Sequence, residues 1–186
     1  MDINENSNNA ENTATTQIIA VLGDITTDHG VQAIANAANT SLLGGGGVDG
    51  AIHRVAGPEL LAECRLLGGC ETGKAKITKA YDLPCEYVIH TPGPIWQGGG
   101  NGEAGLLASC YRSCLELAVK NGILSIAFPS ISTGVYGYPL EEAAKIAVKT
   151  VKGFIRENPD KFDVIKWVLF NESTLQAYEN AINYSG

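Results

Sequence analysis

Basic residues are scarce and scattered in this 186-residue chain: 13 Lys and Arg stand against 20 Asp and Glu, for a formal charge of -7. Binding to nucleic acid in general draws most of its affinity from clustered Lys and Arg against phosphates, so that class of function is disfavoured. Long apolar runs are also missing. No stretch approaches the roughly 18 consecutive apolar residues of a membrane span, and the polar beginning has neither the basic nor the apolar region of a secretory signal. The expectation is a cytoplasmic protein with no membrane attachment. Metal-ligand spacing is absent too: the five cysteines Cys64, Cys70, Cys85, Cys110 and Cys114 match no zinc pattern and lie beside apolar residues, which reads as buried free thiols in a reducing compartment. His29, His53 and His90 show no metal spacing with the carboxylates, and Asp24 with Asp28 falls short of a calcium loop, so each reads as a capping or surface group.

What the chain does have is one domain's worth of apolar residues, 45% of the total. Residues 1–16 hold five asparagines and three carboxylates with almost nothing to bury, and are expected to form a disordered polar extension, leaving 17–186 as a single domain. From Gln17 onward short β-branched runs alternate with longer segments of helical period, the form of an α/β layered domain. Six strands are predicted, at Ile18–Leu22, Val31–Ala35, Ala75–Lys79, Tyr87–Thr91, Leu124–Phe128 and Val164–Phe170. Apolar stripes at three-to-four spacing predict helices over 140–155, starting at Pro139, and over 103–121, ended by Gly122 in a left-handed cap. Ser173 with Gln176 is read as a capping box for a last helix, and 91–102, rich in glycine and proline, as a surface loop.

Two segments ask for an anion. The run Leu43-Gly44-Gly45-Gly46-Gly47-Val48-Asp49-Gly50 leads from a strand and a polar turn straight into a helix start. Helix N-termini carry unpaired amide donors and a partial positive charge, and residues without Cβ let a phosphate approach the backbone. Four adjacent glycines cost much entropy on ordering, more than a plain turn requires. The loop from Ser130 to Pro139 likewise joins a strand end to a helix start. In open α/β sheets ligands collect beyond the carboxyl ends of strands, so both loops are expected to face one crevice and grip a diphosphate through backbone amides, with no metal required.

Two other patterns fail on inspection. Gly68 to Ala75 follows the phosphate-loop spacing until Ala75, which offers no hydroxyl to magnesium, and the residues after it read as a strand where that motif needs a helix. Gly45-x-Gly47-x-x-Gly50 lies nine residues beyond Ala35, too far from its strand for a dinucleotide fingerprint. Asp49 and His53 stand one helical turn apart on one face, which fits either a reactive couple or a helix cap with a histidine packed below it. Asn36 and Asn39, able to donate and accept at once, suit sugar hydroxyls but are ordinary turn residues as well.

The string Asn36-Ala-Ala-Asn39-Thr-Ser-Leu-Leu-Gly-Gly-Gly-Gly-Val-Asp49-Gly-Ala-Ile-His53-Arg54 and the segment Ser132-Thr-Gly-Val-Tyr136-Gly-Tyr-Pro139 closely resemble the MacroD-type macrodomains. Gly23-Asp24-Ile25 precedes them and His90-Thr-Pro-Gly-Pro-Ile-Trp96 stands between, so the resemblance runs from about Ile18 to about Ile182. It implies a three-layer αβα fold around a mixed, mostly parallel six-stranded sheet, with a metal-free cleft for ADP-ribose and no cofactor. Members of the family remove mono-ADP-ribose from Asp or Glu side chains of proteins and deacetylate O-acetyl-ADP-ribose. Some act on ADP-ribosylated nucleic-acid ends. By the resemblance Asp24 and Ile25 lie at the adenine with Phe170 packed near it, and Asn171 departs from the acidic residue common at that edge. Gly46, Gly47, Val48 and the segment Ser132, Thr133, Gly134, Val135 would hold the diphosphate, Asn39 and Asp49 the distal ribose, and Tyr136 would close over it. Asp49, with Asn39 and His53, becomes the candidate catalytic group, the substrate phosphate being the alternative base. A non-catalytic reader of ADP-ribosylated proteins and an ADP-ribose 1″-phosphatase are the rival readings. A monomer is expected.

Overall fold

The structure, a computed structural model, describes residues 15–27 and 30–184. Residues 1–14 of the expected polar extension therefore lie outside the described residues, as do Asp28 and His29. Thr16, counted with that extension, donates its hydroxyl to the Phe162 carbonyl at 2.7 Å. The chain then runs β1 (Gln17–Leu22), β2 (Ala33–Ala38), α1 (Gly47–Ala56), α2 (Pro58–Leu67), β3 (Lys76–Lys79), β4 (Tyr87–Pro92), α3 (Glu103–Lys120), β5 (Ser125–Phe128), α4 (Leu140–Glu157), β6 (Val164–Leu169) and α5 (Glu172–Asn183). Among the described residues no helix is long and apolar enough to cross a membrane.

The six strands form one sheet in the order β1-β6-β5-β2-β4-β3. All neighbours are parallel except β3, which runs antiparallel to β4 with Lys76 opposite His90. This is the mixed, mostly parallel sheet that the resemblance implies. Alternation along β2 distributes its side chains between two cores. Ala33 and Ala35 join the larger one, with Leu107 and Cys110 of α3, Ala143 and Ala147 of α4, and Tyr178 of α5. Ile34 and Ala38 join the other, with Ile52 and Ala56 of α1 and Leu60 and Cys64 of α2. Helices thus cover both faces, giving three layers.

Three local details differ from expectation. Strand β2 begins and ends later than predicted, so Asn36 stands inside the strand and not in the turn after it. The last helix is capped by Asn171, whose side chain accepts from the Thr174 amide at 2.9 Å, while Ser173 donates to that same asparagine and does not start the helix. The glycine-proline segment is only partly a surface loop: Thr91 and Pro92 finish β4, Gly93 and Pro94 are buried, and the exposed part begins at Ile95. Helix α3 ends as predicted. Gly122 takes φ 67°, its amide bonds the Val119 carbonyl and Ile123 bonds back to Ala118, the paired bonds of a left-handed helix stop. Cys110 and Cys114 are fully buried core residues.

β2 and β5 are adjacent, yet the chain leaves β2 for α1 on one face and β5 for α4 on the other. A split of connections between neighbouring parallel strands opens a crevice at their carboxyl ends. The functional site is sought there.

Candidate functional site

A cleft of about 270 Å³ occupies that crevice. One wall is Gly45 to Asp49, the other Ser130, Ser132 and Gly134 to Tyr136, with Ala37 to Asn39 and Gly93 at the base. The two loops singled out in the sequence do share one crevice.

The first loop is shaped by its own side chains. Asn39 donates to the Gly44 carbonyl at 2.8 Å and accepts from the Ser41 amide and hydroxyl, so it fixes the turn while lining the cleft. Gly46 is the N-cap of α1 and contributes no side-chain bond, which leaves the first-turn amides without an internal partner. A Cβ on Gly50 would stand 2.4 Å from the Gly45 carbonyl oxygen, so the close return of loop onto helix requires glycine there. On the other side Ser132 lines the cleft, adopts φ 67° and is only 6% exposed, and its buried hydroxyl has no hydrogen-bond partner among the described residues. Its carbonyl takes the Tyr138 amide, and Ser130 is held by Thr133 and by the buried Tyr178 hydroxyl at 2.9 Å. Among the described residues the amides of Thr133, Gly134, Val135 and Tyr136 have no protein acceptor. Both walls therefore present backbone donors to an anion.

Asp49 sits at N3 of α1 at 5% exposure, with neither a capping role nor a place on the surface. Its Oδ1 accepts from Asn36 Nδ2 at 2.8 Å and lies 3.5 Å from His53 Nε2, which has no hydrogen-bond partner among the described residues. Its Oδ2 faces Gly45, 3.2 Å from where a Cβ on that glycine would be, on the cleft side. Burial raises the Asp49 pKa above its ordinary 3.8, opposed by the Asn36 bond and the nearby His53. His53 stands behind Asp49 and does not line the cleft.

Behind this carboxylate lies a buried chain of polar groups that the sequence reading did not assemble. His90, read there as a capping or surface group, is fully buried on β4; its Nδ1 is 3.2 Å from Asn36 Nδ2 and its Nε2 2.9 Å from Thr78 Oγ1. Burial, then the proximity of His53, depresses its pKa to about 3. Register could have found it: Asn36 pairs with His90 across β2 and β4, two polar residues side by side in central strands.

The remaining residues implied at the far end lie outside this cleft lining. Asp24 follows β1 and accepts from the Thr26 amide and hydroxyl at 2.9 and 2.7 Å, Ile25 is buried in the core, and Phe170 stands 58% exposed after β6. The bond from the Gly23 amide to the Leu169 carbonyl keeps those two strand ends together. Thr133 belongs to the second loop, but its hydroxyl turns back to Ser130. Among the described residues no group of three or more His, Cys, Asp or Glu gathers as a metal site would.

Two amide-lined loops at the switch point of an open α/β sheet, with one buried carboxylate between them, make a cleft whose donors suit a small anionic ligand. Residues 35–147 match the Macro domain family. The chain is 58% identical over 165 residues to a Macro domain-containing protein of Chlorobaculum tepidum, covering 89% of this chain and 95% of that one. It is 59% identical over 162 residues to the ADP-ribose glycohydrolase MACROD2 of Xenopus laevis, covering 87% of this chain but 38% of that longer protein. Among solved structures it is similar to the Oceanobacillus iheyensis macrodomain with ADP, at TM-score 0.87 and 46% identity over 93% of each chain. It is also similar to the Trypanosoma brucei macrodomain in complex with ADP-ribose, at TM-score 0.84 and 48% identity, covering 89% of this chain and 69% of that one. The chain belongs to the Macro domain family.

Proposed function

We propose that this domain binds ADP-ribose and hydrolyses esters at its distal ribose, releasing mono-ADP-ribose from Asp or Glu side chains and deacetylating O-acetyl-ADP-ribose. The observation that carries the reading is Asp49: buried, anchored through Oδ1, and open to the cleft through Oδ2 at the end of the glycine run. The relatives support it, one being named an ADP-ribose glycohydrolase and others having been solved with ADP or ADP-ribose.

The residues that would hold the ligand follow β1, β6, β5 and β2, three strand spacings of about 4.8 Å, roughly 14 Å along the carboxyl edge. Adenine lies over the β1 and β6 ends beside Asp24 and Phe170, the diphosphate between the two loops over β5 and β2, and the distal ribose at Asn39 and Asp49. Backbone amides meet the diphosphate charge, since neither loop carries Lys or Arg. In the chemical step a water in the cleft attacks the ester carbonyl, or the ribose carbon bearing the ester, as its proton passes to Asp49; the ester C–O bond breaks and the leaving oxygen recovers a proton. A raised pKa makes Asp49 a stronger base once ionised, and the adjoining diphosphate raises it further.

The test is to incubate the protein with a target carrying glutamate-linked ADP-ribose and, separately, with O-acetyl-ADP-ribose, and to follow free ADP-ribose. Asp49→Ala is expected to cut turnover at least about a hundredfold with much less effect on ADP-ribose affinity. Tight binding without release by the parent would assign the domain to reading the modification instead.

A further inference from the structure

The Asn36 amide has both its N–H groups engaged and its carbonyl unengaged, although it is fully buried. Nδ2 donates to Asp49 Oδ1 at 2.8 Å and to His90 Nδ1 at 3.2 Å, while Oδ1 finds no donor among the described residues. The far end of the chain explains this orientation. Thr78 Oγ1 donates to the Lys79 carbonyl at 3.0 Å, so towards His90 it must accept, and at 2.9 Å it takes the proton of Nε2. His90 is then the neutral tautomer with Nδ1 as a bare acceptor, which only an N–H of Asn36 can meet. An amide turned over would place its oxygen against both a lone pair and a carboxylate oxygen.

We propose that Thr78 and His90 are positioning residues, which fix the Asn36 amide and through it keep Asp49 ionised with Oδ1 anchored and Oδ2 facing the cleft. This rests on the reading of Asp49 as the base. Neither residue lines the cleft, and Thr78 stands on the edge strand β3, on the far side of β4 from Asn36. The ionisable groups around the chain are His53 on α1 beside Asp49, His90 on β4, and Cys64 and Glu63 on α2. Burial first, then Glu63 and Asp49, pushes the Cys64 thiol up to about 11, so it stays neutral, 3.8 Å from His90 Nε2, where it is a weaker substitute acceptor.

The network also has a second self-consistent state. If His90 carries its proton on Nδ1, Nε2 accepts from Thr78, the Asn36 amide turns, and its Oδ1 accepts from both His90 and a protonated Asp49. In the first state the hydroxyl donates to the Lys79 carbonyl and accepts from Nε2, whereas in the second its one proton must leave that carbonyl to reach Nε2, so losing the hydroxyl costs the first state one bond more and favours the protonated, inactive Asp49. Thr78→Val keeps the shape of a β-branched side chain that is 2% exposed. Its acid limb in kcat should move to higher pH by about half a unit to one unit, the size of one lost hydrogen bond, with KM for the ester unchanged. Thr78→Ser should restore the parental profile. A Thr78→Val profile superimposing on the parent, or a Thr78→Ser profile displaced like Thr78→Val, overturns the proposal. A second measurement needs no turnover and no variant: a long-range proton–nitrogen correlation spectrum of the imidazoles across roughly pH 5 to 8. His90 should stay neutral with its proton on Nε2 throughout. A proton on Nδ1, or titration of His90 in that range, overturns the network whether or not the protein hydrolyses esters; absence of hydrolysis with the expected spectrum overturns only the reading of Asp49 as a base.

Discussion

Asp49 carries a cost whose dependence on pH has a definite sign. Its folded pKa lies above the ordinary 3.8, with burial as the main cause. Between those two values the folded chain holds a proton that the unfolded chain has released, so stability falls as pH rises through the folded pKa. Below the ordinary carboxylate range the side chain is neutral in both states and the cost vanishes. Asp49→Asn keeps an acceptor for Asn36 and removes the buried charge. Melting curves at pH 8 should therefore show the variant more stable, on the order of 1 kcal/mol, with the difference closing in acid. A parent that is the more stable at pH 8 would contradict this account. Gly50 shows a second residue where two effects compete. Alanine would gain about 1 kcal/mol from helix propensity, but its Cβ would meet the Gly45 carbonyl at 2.4 Å, a backbone contact that cannot rotate away. Strain of about 1–3 kcal/mol outweighs the gain, so Gly50→Ala should lower Tm and displace the loop that holds Asp49.

Elements depend on anchors that are themselves single side chains. Glu103, at the start of α3 and 2% exposed, takes the amides of Gln97, Gly99 and Asn101 at 3.1, 2.7 and 2.6 Å, and so ties down the exposed part of the loop after β4. That loop in turn reaches the cleft wall, because the Trp96 amide donates to the Tyr136 carbonyl and its ring lies 4.6 Å from that of Tyr138. Burial acts to raise the Glu103 pKa, but the backbone donors outweigh it and the pKa is lowered. A lowered carboxylate stabilises above its unfolded pKa, and that contribution is lost as pH falls through the folded one. Glu103→Gln leaves one oxygen where two served three amides. Hydrogen exchange should quicken at 97–101 while α4 stays protected; uniform protection as in the parent would show that the loop is held by other means.

The same elements explain what was legible beforehand. Strands β1, β4, β5 and β6 announce themselves through β-branched and aromatic residues, and α4 through an uninterrupted apolar stripe. β2 is Ala-Ile-Ala-Asn-Ala-Ala, a central strand whose small residues carry little strand propensity, and its asparagine imitates a turn. Helix α2, absent from the predicted elements, is marked by Pro58 at its first turn and Gly68 at φ 70° after its end. The cleft loops were legible because glycines at a helix start have a local meaning. The chain from Thr78 through His90 and Asn36 was not, since it joins three strands and a helix whose proximity exists only after folding.

At the scale of the molecule the sheet separates two kinds of interior. The face under α3, α4 and α5 packs Trp167, Phe128, Tyr111 and Tyr178 into a close aromatic group, with ring centroids 5.0–6.1 Å apart for Tyr111 with Phe128 and with Trp167. The face under α1 and α2 is thinner in aromatics and houses the polar chain behind Asp49. The cleft opens where the two meet, so a ligand there links loops belonging to both layers, and its binding free energy should appear as global stability. ADP-ribose at about a hundred times its Kd adds about 2.7 kcal/mol, which for a domain of this size is roughly 5–10 °C in Tm. Asp49→Asn should retain most of that shift, because the diphosphate is met by backbone amides on both walls. ADP at the same concentration should give less, since it leaves Asn39 and Asp49 without a sugar to hold. Equal shifts for the two ligands would mean that the far end of the cleft contributes no binding, and would separate recognition of the diphosphate from any role of Asp49 in holding the distal ribose.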